Sequence, residues 1–234
     1  QEVYRQHCAG CHGHDGRGDG PASIFFEFKP RDFTRGLFKI RSTPTGEFPT
    51  DQDLFRSITR GLPGSGMPSW RELQEMDRWA LVQFIKSRAR EGIRQRLMEL
   101  PDAERPTPEV LQSIVVLRTT PTRVVNVGEE PPVTAAALQR GKELFNKAEC
   151  FKCHGEDARG LAREQGNFDW ADEAGRHIPR ALNLRSGLFK GGTSAKDIYL
   201  RFVTGMNVGP MPSFENSLPS EEDRWALAHY VRSL

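Results

Sequence analysis

Cys8-Ala9-Gly10-Cys11-His12 and Cys150-Phe151-Lys152-Cys153-His154 are two copies of Cys-x-x-Cys-His, and together they use all four cysteines of the 234-residue chain. One helical turn presents both thiols of such a motif on the same side, with a ring nitrogen of the adjacent histidine beside them. This is the attachment sequence of c-type haem, in which the thiols bond to the vinyl groups and the histidine reaches the iron. Disulfides, or a zinc site built from four thiolates, would also use the cysteines, but neither accounts for a histidine directly after each second one. The motifs therefore predict two covalently bound haems c, with His12 and His154 as iron ligands.

Each iron needs a ligand opposite its histidine, and an internal repeat singles out one candidate in each half. Met67-Pro68-Ser69-Trp70 answers to Met211-Pro212-Ser213-Phe214, with Met67 55 residues after His12 and Met211 57 after His154. Gly64 and Gly66, or Gly209 and Pro210, break regular structure before each methionine, so a loop presents the thioether, a soft ligand suited to iron. An isolated methionine is more often core filling; its repetition with the flanking Pro-Ser points to ligation. Met206 competes in the second half, but the first has no methionine in the matching Arg60–Leu62 stretch. Met76 and Met98 have no counterparts.

The same repeat organises the elements that must position these residues. Pro30-Arg31 pairs with Pro179-Arg180, Gly36-Leu37-Phe38-Lys39 with Gly187-Leu188-Phe189-Lys190, and Asp77-Arg78-Trp79-Ala80-Leu81 with Asp223-Arg224-Trp225-Ala226-Leu227. Each half reads as helical: a short helix with the cysteines, a middle helix near 51–60 or 195–204, and a last helix near 75–90 or 221–233. Ser220-Glu221-Glu222-Asp223 is a helix start, with a capping serine and acids in the first turn. Trp79, Val82 and Ile85 share a face expected to pack on the first helix. The prolines between 101 and 132 argue against continuous helix after about residue 100. Ser113–Leu117 and Arg123–Val127 are β-prone runs expected to pack as a small hairpin or along a domain surface. The expected architecture is all-α, with domains at 1–90 and 135–234 and an irregular, partly extended connector at 91–134.

The formal net charge of +2 falls to about −2 once two haems add their carboxylates, and nothing suggests a nucleic-acid partner. No apolar run is long enough to span a membrane. The chain begins seven residues before Cys8 without a basic, apolar leader, which predicts that an export signal or anchor was removed or lies outside it.

Both halves resemble class I cytochrome c domains, and the pair resembles a tandem two-haem cytochrome c. In that family a proline carbonyl accepts a hydrogen bond from the second nitrogen of the haem histidine, a role that position assigns to Pro30 and Pro179. The family also packs a glycine and an aromatic of its first helix on the last. Gly141 and Phe145 fit in the second half; Tyr4 fits the aromatic in the first, with the matching glycine position just before Gln1. The resemblance implies export to a bacterial periplasm or similar compartment. It also implies single-electron transfer between redox proteins, such as a periplasmic oxidoreductase and a terminal oxidase or reductase, rather than catalysis.

Two other readings stay open: a dihaem enzyme, peroxidase-like or thiosulfate-oxidising, and a haem-bearing subunit of a larger complex. An enzyme needs one iron with an open or displaceable position and a nearby acid-base group, whereas both halves carry matching methionine loops. His7, His14, His177 and His229 read as surface or core residues. Arg31, Arg35, Arg180 and Arg185 could pair with haem propionates or with solvent. Residues 161–178, including Trp170, lengthen the second repeat as a partner surface or a lid.

Overall fold

The computed structural model describes residues 1–161, 181–207 and 209–234. The chain divides into one compact unit of Gln1–Gly61 with Ser65–Val124 and another of Leu62–Gly64 with Val125–Leu234. Among the described residues the regular elements are all helical.

In the first unit, α1 (Glu2–His7) runs through a break at Cys8 into α2 (Ala9–His12). Tyr4 of α1 is buried, its ring 4.1 Å from Phe84 and its hydroxyl donating to the Gly13 carbonyl at 2.7 Å. Phe84 lies on the long α4 (Glu75–Met98), whose Val82, Ile85 and Ala89 line the core. Trp79 departs from the expected face and stacks on Phe55 of α3 (Asp51–Arg60) at 4.2 Å. α4 also outruns its expected end by two turns. Gly92 lets it close on the 3-10 turn Phe33–Arg35, where a Cβ would lie 2.2 Å from the Thr34 carbonyl oxygen, and Arg96 donates to that oxygen at 3.0 Å.

A capping box of Thr50 and Asp53 starts α3. Asp53 is buried and also accepts from Ser42 N and Oγ, each at 2.8 Å, and from Arg56 at 2.7 Å. Burial alone would raise its carboxyl; the hydrogen bonds from Ser42, Arg56 and Thr50 outweigh it and hold the group below its ordinary value. Its stabilising contribution is complete above the unfolded carboxyl's range and is lost as pH falls through the lowered folded value. Asp53→Ala leaves buried donors without an acceptor, so it will cost about 3 kcal/mol at neutral pH and shrink the acid sensitivity of unfolding, measured by denaturant titration at pH 7 and pH 3.

Ser113–Leu117 are not extended: they belong to α5 (Pro108–Arg118). Thr107 caps it, Pro108 takes the first-turn position that lacks an intrahelical partner, and Leu111 and Val115, one turn apart, bury against the unit. Packing of that spacing overrides a weak β preference. Arg90 and Arg94 of α4 reach Thr119 at 3.3 Å and Gln112 at 3.1 Å. Arg123–Val127 form neither helix nor strand.

In the second unit, α6 (Ala135–Lys147) crosses α9 (Glu221–Ser233) at Gly141, where a Cβ would lie 2.2 Å from the Ala226 carbonyl oxygen. Phe145 meets Tyr230 edge-on at 5.8 Å, and Arg140 holds Asp223 through two 2.8 Å hydrogen bonds. α7 (Phe151–His154) carries the second motif, and α8 (Ala195–Thr204) packs Tyr199 against Trp225 at 5.0 Å. Val125 and Val127 join this core, and Trp225 Nε1 donates to the Val127 carbonyl at 3.1 Å.

Candidate haem-binding sites

Both motifs form the same local device. A single turn follows Cys8 or Cys150, with the His12 and His154 amides donating back to the first cysteine's carbonyl at 2.9 Å, and left-handed Gly13 and Gly155 end it. His12 Nδ1–H donates to the Arg31 carbonyl at 3.0 Å, and His154 Nδ1–H to the Leu182 carbonyl at 3.0 Å. Nε2 is thereby left as the lone-pair nitrogen, the tautomer an iron ligand requires.

The acceptor is thus not Pro30, but the next residue. Gly18 packs so closely that a Cβ would lie 2.5 Å from the Pro30 oxygen, which turns that carbonyl toward the glycine and leaves the Arg31 carbonyl to meet the ring. Gly160 stands in the same relation to Ala181, at 2.4 Å. Phe33 N donates to the Gly16 carbonyl as Leu184 N does to that of Ala158. The structural partner of Pro30 is therefore Ala181, and the sequence pairing of Pro30 with Pro179 was two residues out of register. Pro179, with Arg180, Trp170 and His177, lies outside the described residues.

Burial holds both imidazoles below their ordinary pKa, favouring the neutral ligand form, against the opposing pull of the backbone hydrogen bonds. Burial pushes the Cys8 and Cys150 thiols up to about 11 and raises that of Cys153. Redox-active cysteines need thiolates, which these surroundings disfavour. Among the described residues no three His, Cys, Asp or Glu side chains cluster as a metal site. The donors present fit haem c instead, with two thiols and one oriented imidazole in each half.

The contacts that pin the two methionine loops repeat. A Cβ on left-handed Gly61 would lie 2.6 Å from the Pro68 carbonyl carbon, and one on Gly205 2.7 Å from that of Pro212. Ser69 Oγ donates to the Thr59 carbonyl at 2.7 Å and Ser213 Oγ to that of Val203 at 2.5 Å. Trp70 N donates to Ile58 and Phe214 N to Phe202, at 3.1 and 2.9 Å. Met67 and Met211 each pack on the core of their own half. Met206 follows Gly205 as Leu62 follows Gly61, and its amide donates to the Met211 carbonyl at 3.0 Å.

Two further arginines are enclosed by the fold. Arg41 is fully buried, donating to the carbonyls of Phe38 at 3.2 Å and Pro44 at 3.1 Å, and burial lowers its pKa to about 10. Arg201, on α8, is buried with its stem on Gly191, where a Cβ would lie 2.6 Å from its Cδ. The two come from non-equivalent positions, so the repeat could not flag them; Arg41 in Lys39-Ile40-Arg41-Ser42 reads as one more loop charge. Of the arginines considered from sequence, Arg35 lies 3.9 Å from Asp32 and Arg185 donates to the Asp157 carbonyl at 2.6 Å. His14 is exposed, His7 lies against Trp70 with rings 5.2 Å apart, and buried His229 contacts Glu130 at 3.2 Å.

The family model described as "Cytochrome C oxidase, cbb3-type, subunit III" matches residues 1–85 and 136–231. The chain belongs to this cytochrome c family. Two matched segments make it a tandem cytochrome c, whose domains bind haem c covalently. No curated protein matches this cytochrome. It is similar to a chain of a solved reducing HAO-like protein complex from Kuenenia stuttgartiensis, with 37% identity and a TM-score of 0.80 over 99% of this chain and 93% of that one. Among the described residues, no helix of this cytochrome is long and apolar enough to cross a membrane.

Proposed function

We propose that this cytochrome carries two haems c and passes single electrons between redox proteins of the periplasm. Cys8, Cys11, His12 and Met67 hold one haem in domain 1–90; Cys150, Cys153, His154 and Met211 hold the other in domain 135–234, with 91–134 as connector. The bound haems supply a reversible one-electron couple. The chain's own residues would tether them through the cysteines, fix the imidazole tautomer through the Arg31 and Leu182 carbonyls, and offer the Met67 and Met211 thioethers as second iron ligands. The identical pinning of the two Met-Pro-Ser loops carries this reading. A dihaem enzyme would need the two sites to differ at this position.

Likeness to a chain of an HAO-like protein complex supports an HAO-like protein as redox partner, and a role as complex subunit as well as carrier.

The oxidised holoprotein will contain two covalent haems per chain, both low-spin, with a near-infrared sulfur-to-iron band of intensity matching two sites. A haem-to-protein ratio near one, or a band of half intensity, refutes the matched-site reading and favours an enzyme.

A further inference from the structure

The connector helix α5 is apolar on two faces. Leu111 and Val115 are buried in the first unit, whereas Val110 and Leu117 are 49% and 69% exposed, as is Val116, at 48%, on a different face. Val110, Ile114 and Leu117 recur at i, i+4 and i+7, so they form one stripe adjacent to the buried one, exposed at its two ends and half-buried at Ile114. Glu109, Gln112, Ser113 and Arg118 surround it. A rigid apolar strip with a polar rim has the anatomy of an interface core, and this spacing is that of helix anchors entering a groove.

α5 falls within residues 86–135, which the family model leaves unmatched, so haem binding by these domains does not require it. The chain from the HAO-like protein complex nevertheless aligns with 99% of this one, so it shares the segment that contains the helix. In this chain the segment outside the family match bears an exposed apolar stripe.

We propose that the Val110-Ile114-Leu117 stripe of α5 docks this cytochrome onto an HAO-like protein. The proposal rests on the partner assigned above and adds the surface that binds it. Burying two or three such anchors at the centre of an interface contributes enough for their loss to be decisive.

The test uses the dihaem holoprotein, with the HAO-like subunit of the Kuenenia stuttgartiensis complex as probe. Binding is followed by sedimentation velocity, and haem reduction in the mixture by absorbance. Val110→Ser/Leu117→Glu should weaken binding by about 30-fold or more, and Leu117→Glu alone by about 10-fold. Val116→Ser, on the same helix but off the stripe, should change nothing. Far-UV circular dichroism and melting temperature establish that each variant is folded. Undiminished binding by the double variant overturns the proposal, as does failure of the parent protein to bind. Parent self-association abolished by the double variant also overturns it, since the stripe would then hold a second copy. Binding lost in the variant but without electron exchange in the parent mixture upholds the docking surface and sinks the electron-transfer reading.

Discussion

Met211→Ala will open the second haem to cyanide and carbon monoxide and lower its potential by roughly 0.2 V, within the range of about 0.8 V that axial ligation spans. Met67→Ala will do the same to the first. Each substitution should remove half of the near-infrared sulfur-to-iron band, and Met206→Ala should leave both band and potentials unchanged. The expectation follows from the loops. Pro212-Ser213-Phe214 is held by Gly205, the Val203 carbonyl and the Phe202 carbonyl, as Pro68-Ser69-Trp70 is by Gly61, Thr59 and Ile58. Two backbones held this way put Met67 and Met211 at matching loop positions, whereas Met206 lies on the other arm of the turn, its amide donating to the Met211 carbonyl. Ligand binding by Met206→Ala with none by Met211→Ala would reverse the assignment. Peroxide turnover by the parent protein at enzymatic rates would refute the carrier reading even with both ligands right.

Gly141→Val will have the largest structural effect, destabilising the second domain by about 3 kcal/mol or more. Its Cβ would lie 2.2 Å from the Ala226 carbonyl oxygen and 2.5 Å from Tyr230 Cβ, so two helix backbones would have to separate. Separation also exposes the Phe145–Tyr230 contact and strains the paired hydrogen bonds of Arg140 with Asp223. Thermal unfolding should become biphasic, with the early phase carrying half of the methionine band and the Soret change of one haem. Gly10→Ala is the control: a Cβ there meets nothing within 4 Å, so melting and spectra should stay as in the parent. A Gly141→Val protein as stable as the parent would show that the α6–α9 crossing is not the close contact described.

The sequence alone determined what depends on residue type and short-range order. The haem motifs, the helices at Asp51–Arg60, Ala195–Thr204 and Glu221–Ser233, and the pairing of Met67 with Met211 rest on caps, spacing and a duplicated pattern, all of which are local. Gly141 with Phe145 was legible because the family resemblance supplied a long-range contact that no local pattern encodes. Tertiary structure decided the rest. Which carbonyl orients His12 depends on how tightly Gly18 packs on Pro30, a relation across a loop whose register sequence pairing misplaced by two residues in the other half. Ser113–Leu117 became helix because burying Leu111 and Val115 one turn apart outweighs the small β preference of valine and isoleucine. Arg41 and Arg201 are buried from unrelated positions, one in a loop and one on a helix. A charge reads the same in sequence whether it is solvated or enclosed, and only the packed chain fixes the difference.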